Sequence, residues 1–246
     1  MKGYYETNNL AEELRREWGI DNYSPIDIFS LVTDKINNLT ILFHPIDNKI
    51  SGCCCKYDGE LLILINSNHS KGRQNFTLAH ELYHLKYENN NEWLICSDHD
   101  YNDSEKEANN FASSLLMPIG ALSSYKNING IKNWNLENII KCEQFFQMSH
   151  SSMLYRLKKE KYISSEDYNL YLDNIKKKAS KLGFSTELYD PSPKSKKYFS
   201  LGNYIRLTEE AFDKNKISIG KKDEMLLDVF RSDIVYNLNE DDFFEG

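Results

Sequence analysis

The chain has 246 residues, room for one large domain or two small ones, and its 40% hydrophobic and 27% charged residues predict a buried core. A net charge of -7 excludes a general attraction to nucleic acid. No apolar run is long enough to span a membrane, and the opening MKGYYETNNLAEELRREW has no apolar core, so the reading predicts a protein without a signal peptide that works in the cytoplasm.

In chain order, Leu10, Leu14 and Trp18 recur at helical spacing ahead of Gly19, which predicts a helix over 8–18. Ser24-Pro25 predicts a second helix, with Pro25 at its first position. Three β-like runs follow, LTILFHP, KISGCCCKYDG and LLILINS, the last two joined by an Asp58-Gly59 turn. The middle run holds Cys53, Cys54 and Cys55, while Cys96 and Cys142 stand alone. Neighbours on a strand point to opposite faces, so the three cysteines cannot converge on a metal, and the set reads as reduced thiols.

Residues 66–74 read as a polar connector, 74–88 as a helix, 89–103 as a second connector and 104–116 as a helix ended by Pro118-Ile119-Gly120. Residues 135–160 read as two helices around Gln147-Met148-Ser149, with Ser149 as a cap. One helix is expected over 164–181. The Pro/Ser/Lys-rich YDPSPKSKK (189–197) is the best linker candidate, 202–215 and 220–236 read as helical, and the chain ends in the acidic NEDDFFEG. Residues 151–200 carry 11 Lys+Arg against 6 Asp+Glu, and 201–246 carry 6 against 11, which suits neutralisation between the two pieces or solvated helix faces better than a nucleic-acid patch.

The helix over 74–88 contains His80-Glu81-Leu82-Tyr83-His84, an H-E-x-x-H pattern. Residues four apart share a helix face, so His80 and His84 can present two imidazoles to one zinc ion. Glu81 lies beside them, placed to deprotonate a metal-bound water whose pKa zinc lowers to near 7. Phe76, Ala79, Tyr83 and Tyr87 flank the histidines, and Leu78, Leu82 and Leu85 cover the far side, which marks a buried helix with one polar stripe.

A catalytic zinc needs a third protein ligand. His99 sits in a polar loop and reads as a surface residue. On the helix over 104–116 the apolar face is Ala108, Phe111, Ala112, Leu115 and Leu116. Glu105 lies within about 60° of its centre and Glu107 about 100° away. Glu107 also fits a capping box with Ser104. This favours Glu105 and keeps Glu107 as the alternative ligand. Asn109 shares the side of Glu105 and is placed to hydrogen-bond a ligating histidine.

Two blocks then stand out: Arg73-x-x-Phe76-Thr77-Leu78-Ala79-His80-Glu81-x-x-His84, and Glu105-x-x-Ala108-Asn109-x-Phe111-Ala112-x-x-Leu115-Leu116-Met117-Pro118. Together with the strand Ile63-Leu64-Ile65-Asn66 they resemble the ImmA/IrrE-type metallopeptidases of bacteria and their mobile elements, strongly over about 25–120 and more weakly to about 165. The resemblance implies an α+β, gluzincin-like fold: a small three-stranded sheet, the H-E-x-x-H helix, a following ligand helix and a mostly helical C-terminal part. It divides the chain into a zinc metallopeptidase domain (1–130), a helix-turn-helix-like helical region packed on it (131–188), and a C-terminal helical accessory region with an acidic tail (189–246). It supports Glu105 through likeness to Glu-x-x-x-Asp, with Asn109 in place of the Asp.

The resemblance further implies a zinc-dependent endopeptidase that cleaves a cognate helix-turn-helix repressor to derepress stress or mobile-element genes, with His80, His84 and Glu105 on Zn2+ and Glu81 as catalytic base. The alternative is a non-proteolytic DNA- or repressor-binding regulator, or a toxin–antitoxin component, using the peptidase fold for recognition; hydrolysis of a small molecule is a third reading. Residues 137–164 have a helix-turn-helix rhythm, read as packing or partner docking in preference to DNA binding. Tyr83, Tyr87, His99, Tyr101, His150 and Arg156 are candidates to stabilise an oxyanion, and the sequence does not choose among them.

Overall fold

A computed structural model of the chain describes residues 2–88, 94–97 and 102–238. The first helix, α1 (Tyr4–Glu17), buries Ala11 and Leu14 and ends where Gly19 turns to a positive φ of 74°. Its Arg15 is fully buried and donates to the carbonyls of Leu115 at 2.7 Å, Asp21 at 2.8 Å and Ser24 at 2.5 Å. That guanidinium fastens α1 to the end of a later helix, and its three carbonyl partners offset the cost of burying it.

The second helix, α2 (Ile28–Lys35), starts later than Ser24-Pro25 predicts. Asp27 is the cap: its carboxylate accepts the Ser30 amide at 3.4 Å and the Ser30 hydroxyl at 2.7 Å. Ser24 is engaged instead in a local turn with Asp21.

Next come β1 (Leu39–His44), β2 (Ile50–Tyr57) and β3 (Glu60–Asn66). Asp58 and Gly59 both take positive φ, 48° and 82°, and close a two-residue hairpin with Tyr57 opposite Glu60. The polar connector expected to reach 74 is shorter, because α3 (Lys71–Tyr87) begins at Ser70. Two strands were not legible as strands: β4 (Leu94–Ser97) lies in the second expected connector, and β5 (Phe199–Gly202) lies just after the expected linker. The sheet therefore has five strands in the order β4-β2-β3-β1-β5, not three, with β1 and β3 parallel and the other pairs antiparallel. Strand alternation sends Leu39, Ile41, Phe43, Cys54, Ile63 and Ile65 to the buried face and leaves Cys53 and Cys55 half-buried.

Helix α3 packs on that buried face. It is followed by α4 (Asp103–Leu116) and α5 (Ile119–Ile128). Pro118 stops α4 and caps α5, a helix the sequence reading did not anticipate. Helices α6 (Leu136–Phe146) and α7 (His150–Lys159) match the expected pair, with Gln147 left-handed between them and the Ser149 hydroxyl capping the Ser152 amide at 3.2 Å. The single helix expected over 164–181 is two, α8 (Ser165–Leu172) and α9 (Ile175–Lys181), because Asn174 takes a left-handed φ of 59°. The chain ends in α10 (Asn203–Asp213), α11 (Ile219–Asp228) and α12 (Ser232–Tyr236). The acidic tail from 239 lies outside the described residues.

The stretch expected as a linker is tied down. Asp190 accepts the Lys71 amide at 2.8 Å, the Ser192 amide donates to Ser67 at 3.1 Å, and the Ser192 hydroxyl reaches Gln74 at 3.2 Å. These bonds hold it against the start of α3 and deliver β5 to the sheet edge beside β1. Charged C-terminal side chains pair with near neighbours, as in Lys222 with Glu209 at 2.8 Å and Arg231 with Asp233 at 2.7 Å.

Candidate metal centre

The site is built from two helices. Helix α3 is buried along most of its length, as its apolar flanks predict. It brings His80 and His84 to one face, both almost inaccessible to solvent. Helix α4 packs beside α3 and runs along α1. Its cap is Asn102, whose side chain accepts the Glu105 amide at 2.8 Å. Ser104 is therefore not the cap, and the Ser104–Glu107 capping box does not form.

Three side chains converge. His84 Nε2 lies 3.1 Å from His80 Nε2, His80 Nε2 lies 3.1 Å from one Glu105 oxygen, and His84 Nε2 lies 3.4 Å from the other. All are within 4.8 Å of one another, and this is the one such group of three among the described residues. Ligands at zinc–nitrogen distances near 2.05 Å in a tetrahedron stand roughly 3.3 Å apart. The observed spacings match that figure.

The chemistry of the set agrees with its spacing. His80 Nδ1 faces the Asn109 side-chain oxygen at 3.1 Å, and His84 Nδ1 faces a Glu88 oxygen at 2.9 Å. Both partners accept, so both Nδ1 atoms carry the hydrogen, and both Nε2 lone pairs point into the same small space as the Glu105 carboxylate. Such a space suits a cation. With no ion bound, burial works against the Glu105 carboxylate, but His80 and His84, when protonated on Nε2 as well, donate to it, outweigh burial and hold the group down at about 2. Burial also pulls His84 down, yet Glu105 and Glu88 reverse it, and the net shift is upward.

Glu81 is fully buried one residue from His80. Gly52 of β2 lies directly across from it. A Cβ there would stand 2.7 Å from the Leu64 carbonyl, 2.7 Å from Thr77 Cγ2 and 3.2 Å from Glu81 Oε1, so no larger residue lets α3 approach the sheet this closely. An isolated glycine in a strand pattern is a legible sign of close approach, and it sits where β2 also shifts register against β4. The neighbouring Cys54 thiol is pushed up by burial and then by the Glu81 charge, and it stays protonated beside that carboxylate.

The other sequence-predicted residues fall elsewhere. Glu107 is buried but faces the N-terminal segment: it accepts the Lys2 amide, the Tyr83 hydroxyl at 2.6 Å and the Lys2 ammonium at 3.4 Å. Tyr83 is thus committed to Glu107, and the Tyr87 hydroxyl reaches the Leu10 carbonyl at 3.5 Å. His150 bonds Glu143 at 2.8 Å and the Tyr171 carbonyl at 3.1 Å, while buried Arg156 holds Glu160 and the Ser113 hydroxyl at 3.0 Å. Of the oxyanion candidates, His99 and Tyr101 lie outside the described residues. Helices α6 and α7 bury Ile139, Phe146, Met153, Leu154 and Leu157 in the common core. Gly72 of α3 presses against the Ser149 backbone, where a Cβ would lie 2.9 Å from Ser149 Cα. The helical pair packs against the start of α3.

No helix among the described residues is long and apolar enough to cross a membrane. No curated protein matches the chain at a significant level. The sequence profile of the IrrE N-terminal-like domain, a peptidase M78 domain, matches residues 36–158, a span that contains both helices of the His80–His84–Glu105 cluster, α6 and all but the last residue of α7. The chain belongs to this IrrE N-terminal-like, M78-type peptidase family.

Proposed function

We propose that the protein is a cytoplasmic zinc-dependent endopeptidase whose substrate is a cognate helix-turn-helix repressor. The observation that carries the zinc assignment is the convergence of two imidazole Nε2 atoms and one carboxylate in a buried space, with a second carboxylate, Glu81, alongside. His80, His84 and Glu105 hold the ion. A zinc ion bound there supplies a Lewis acid for the scissile carbonyl and makes water acidic enough to lose a proton near neutral pH. Glu81 accepts that proton and passes it to the leaving amine. Gly52 gives Glu81 its room, Asn109 holds the His80 ring, and Asn102 fixes the Glu105 backbone.

The buried, water-activating Glu81 favours hydrolysis over the non-proteolytic alternative, since a fold used only for recognition gains nothing from burying a carboxylate there. The likeness of the two helix blocks to ImmA/IrrE-type peptidases supports a repressor as the substrate.

The test is to express the full chain with any helix-turn-helix repressor found encoded near its gene and to look for a single cut. Glu81→Gln should keep its zinc and lose cleavage. Cleavage that survives in Glu81→Gln sinks the assignment of the base. Absence of any cut in neighbouring repressors, with zinc bound, sinks the substrate.

A further inference from the structure

We propose that Glu88 is a positioning residue for the metal centre: it fixes the tautomer and rotation of His84, and Ser104 holds it there. The inference rests on the zinc reading above. Glu88 is the residue that ends α3, four positions after His84. One carboxylate oxygen lies 2.9 Å from His84 Nδ1, and the other accepts the Ser104 hydroxyl. Ser104 sits in the first turn of α4, immediately before Glu105. A single carboxylate therefore joins the last turn of one ligand helix to the first turn of the other, and the two ligands they carry share one brace.

Local helix energetics do not explain a glutamate at this position. The C-terminal end of a helix is the negative end of its dipole, where a carboxylate is disfavoured. Something must offset that, and the bonds to His84 and Ser104 do. The surroundings fit as well: the His84 side chain is 2% exposed and that of Glu88 is 20%, so the ring is fixed in the interior while the outer edge of the carboxylate meets solvent.

An acceptor with a full negative charge holds the hydrogen on Nδ1, leaves the Nε2 lone pair for the ion, and makes the ring a stronger donor to it. His80 has only the neutral Asn109 oxygen in the same role, at 3.1 Å. The two histidines are thus unequal, with His84 as the charge-assisted ligand of the pair.

The full-length chain, stripped of metal, is titrated with Zn2+ against a chromophoric chelator, with His84→Ala as the reference. Glu88→Ala should weaken zinc binding about 10- to 100-fold, and Glu88→Gln, which keeps an acceptor but loses the charge, should fall between it and the parent. With Co2+ in the site, Glu88→Ala should also shift the visible absorption, which a merely structural loss would not do. Parental zinc affinity in Glu88→Ala, with binding lost in His84→Ala, overturns the proposal alone. Parental affinity in His84→Ala overturns the metal site itself. If Glu88→Ala does not fold, unchanged affinity in Glu88→Gln is the overturning result.

Discussion

His84 and His150 start from the same arrangement and end differently. Both are buried, and each Nδ1 has a carboxylate partner, Glu88 at 2.9 Å or Glu143 at 2.8 Å. The far side of the ring separates them. His150 Nε2 meets the Tyr171 carbonyl at 3.1 Å, and the second oxygen of Glu143 is taken by the Tyr189 hydroxyl. Every polar atom of that ring has an oxygen partner, so the cluster is complete and ties α6 and α7 to the segment that follows α9. His84 Nε2 meets another imidazole nitrogen and a carboxylate, all acceptors. A buried histidine beside a glutamate therefore says little by itself. Whether the other nitrogen faces an oxygen partner or further ligands decides between a fastening and a metal site.

The sharpest way to break this contrast is to delete each ring. His84→Ala should take bound zinc from about one ion per chain to almost none, since two protein ligands rarely retain the ion through dialysis. His150→Ala should keep its zinc and instead lose stability, by about 2–4 kcal/mol, because a buried carboxylate is left with one partner fewer. Metal analysis and denaturant unfolding of the two variants read both effects. Equal zinc loss in the two, with both folded, abolishes the distinction.

Removing the ion gives the next effect in size. Zinc at a thousand times its dissociation constant adds about 4 kcal/mol to the folded state, and a chelator withdraws it. The pH dependence has two opposed parts. In the metal-free protein His84 has a raised pKa, so its contribution is complete below the unfolded value and is lost as pH rises through the folded one. Zinc needs both imidazoles deprotonated, so its contribution grows with pH. The zinc-induced rise in Tm should therefore increase between about pH 5.5 and 8. A rise that shrinks over that range contradicts the ligand set.

What the sequence made legible follows from how local each determinant is. The period of one helix sets His80, Glu81 and His84 relative to one another, and the wheel of the next turns Glu105 toward the core; the packing of α4 on α3 then brings Glu105 to the histidines. The Asp58-Gly59 hairpin is equally local, because only its own backbone must adopt positive φ. Strands β4 and β5 are four residues each and exist because β2 and β1 are there to pair with, which no local pattern states. Asn174 could have continued a helix and instead turns left-handed, dividing α8 from α9. Glu88 was four residues from His84 all along, but its role needs the ring rotation and the approach of Ser104, both set by tertiary packing. Glu107 misleads in the opposite way: its spacing from Ser104 suits a capping box, and the nearer cap Asn102 and the N-terminal Lys2 displace that local option.

The smallest effect tests whether the two clusters depend equally on the helix ends beside them. Asn102 caps α4 three residues before Glu105, through its bond to the Glu105 amide at 2.8 Å. Ser149 caps α7 immediately before His150, through its bond to the Ser152 amide at 3.2 Å. Replacing either cap by alanine should cost about 1 kcal/mol, the usual value for a lost side-chain cap. The consequence for metal should differ. In Asn102→Ala the freed amide belongs to a ligand, so the first turn of α4 loosens around Glu105, and zinc affinity should fall several-fold, to about the extent that 1 kcal/mol allows. In Ser149→Ala the loosened turn ends at a histidine with no share in the ion, and zinc affinity should stay at the parental value. Unfolding curves measure the common cost, and chelator competition measures the difference. If both caps change zinc affinity alike, the metal centre responds to general loosening of the fold, and the helix end at Glu105 has no special hold on it.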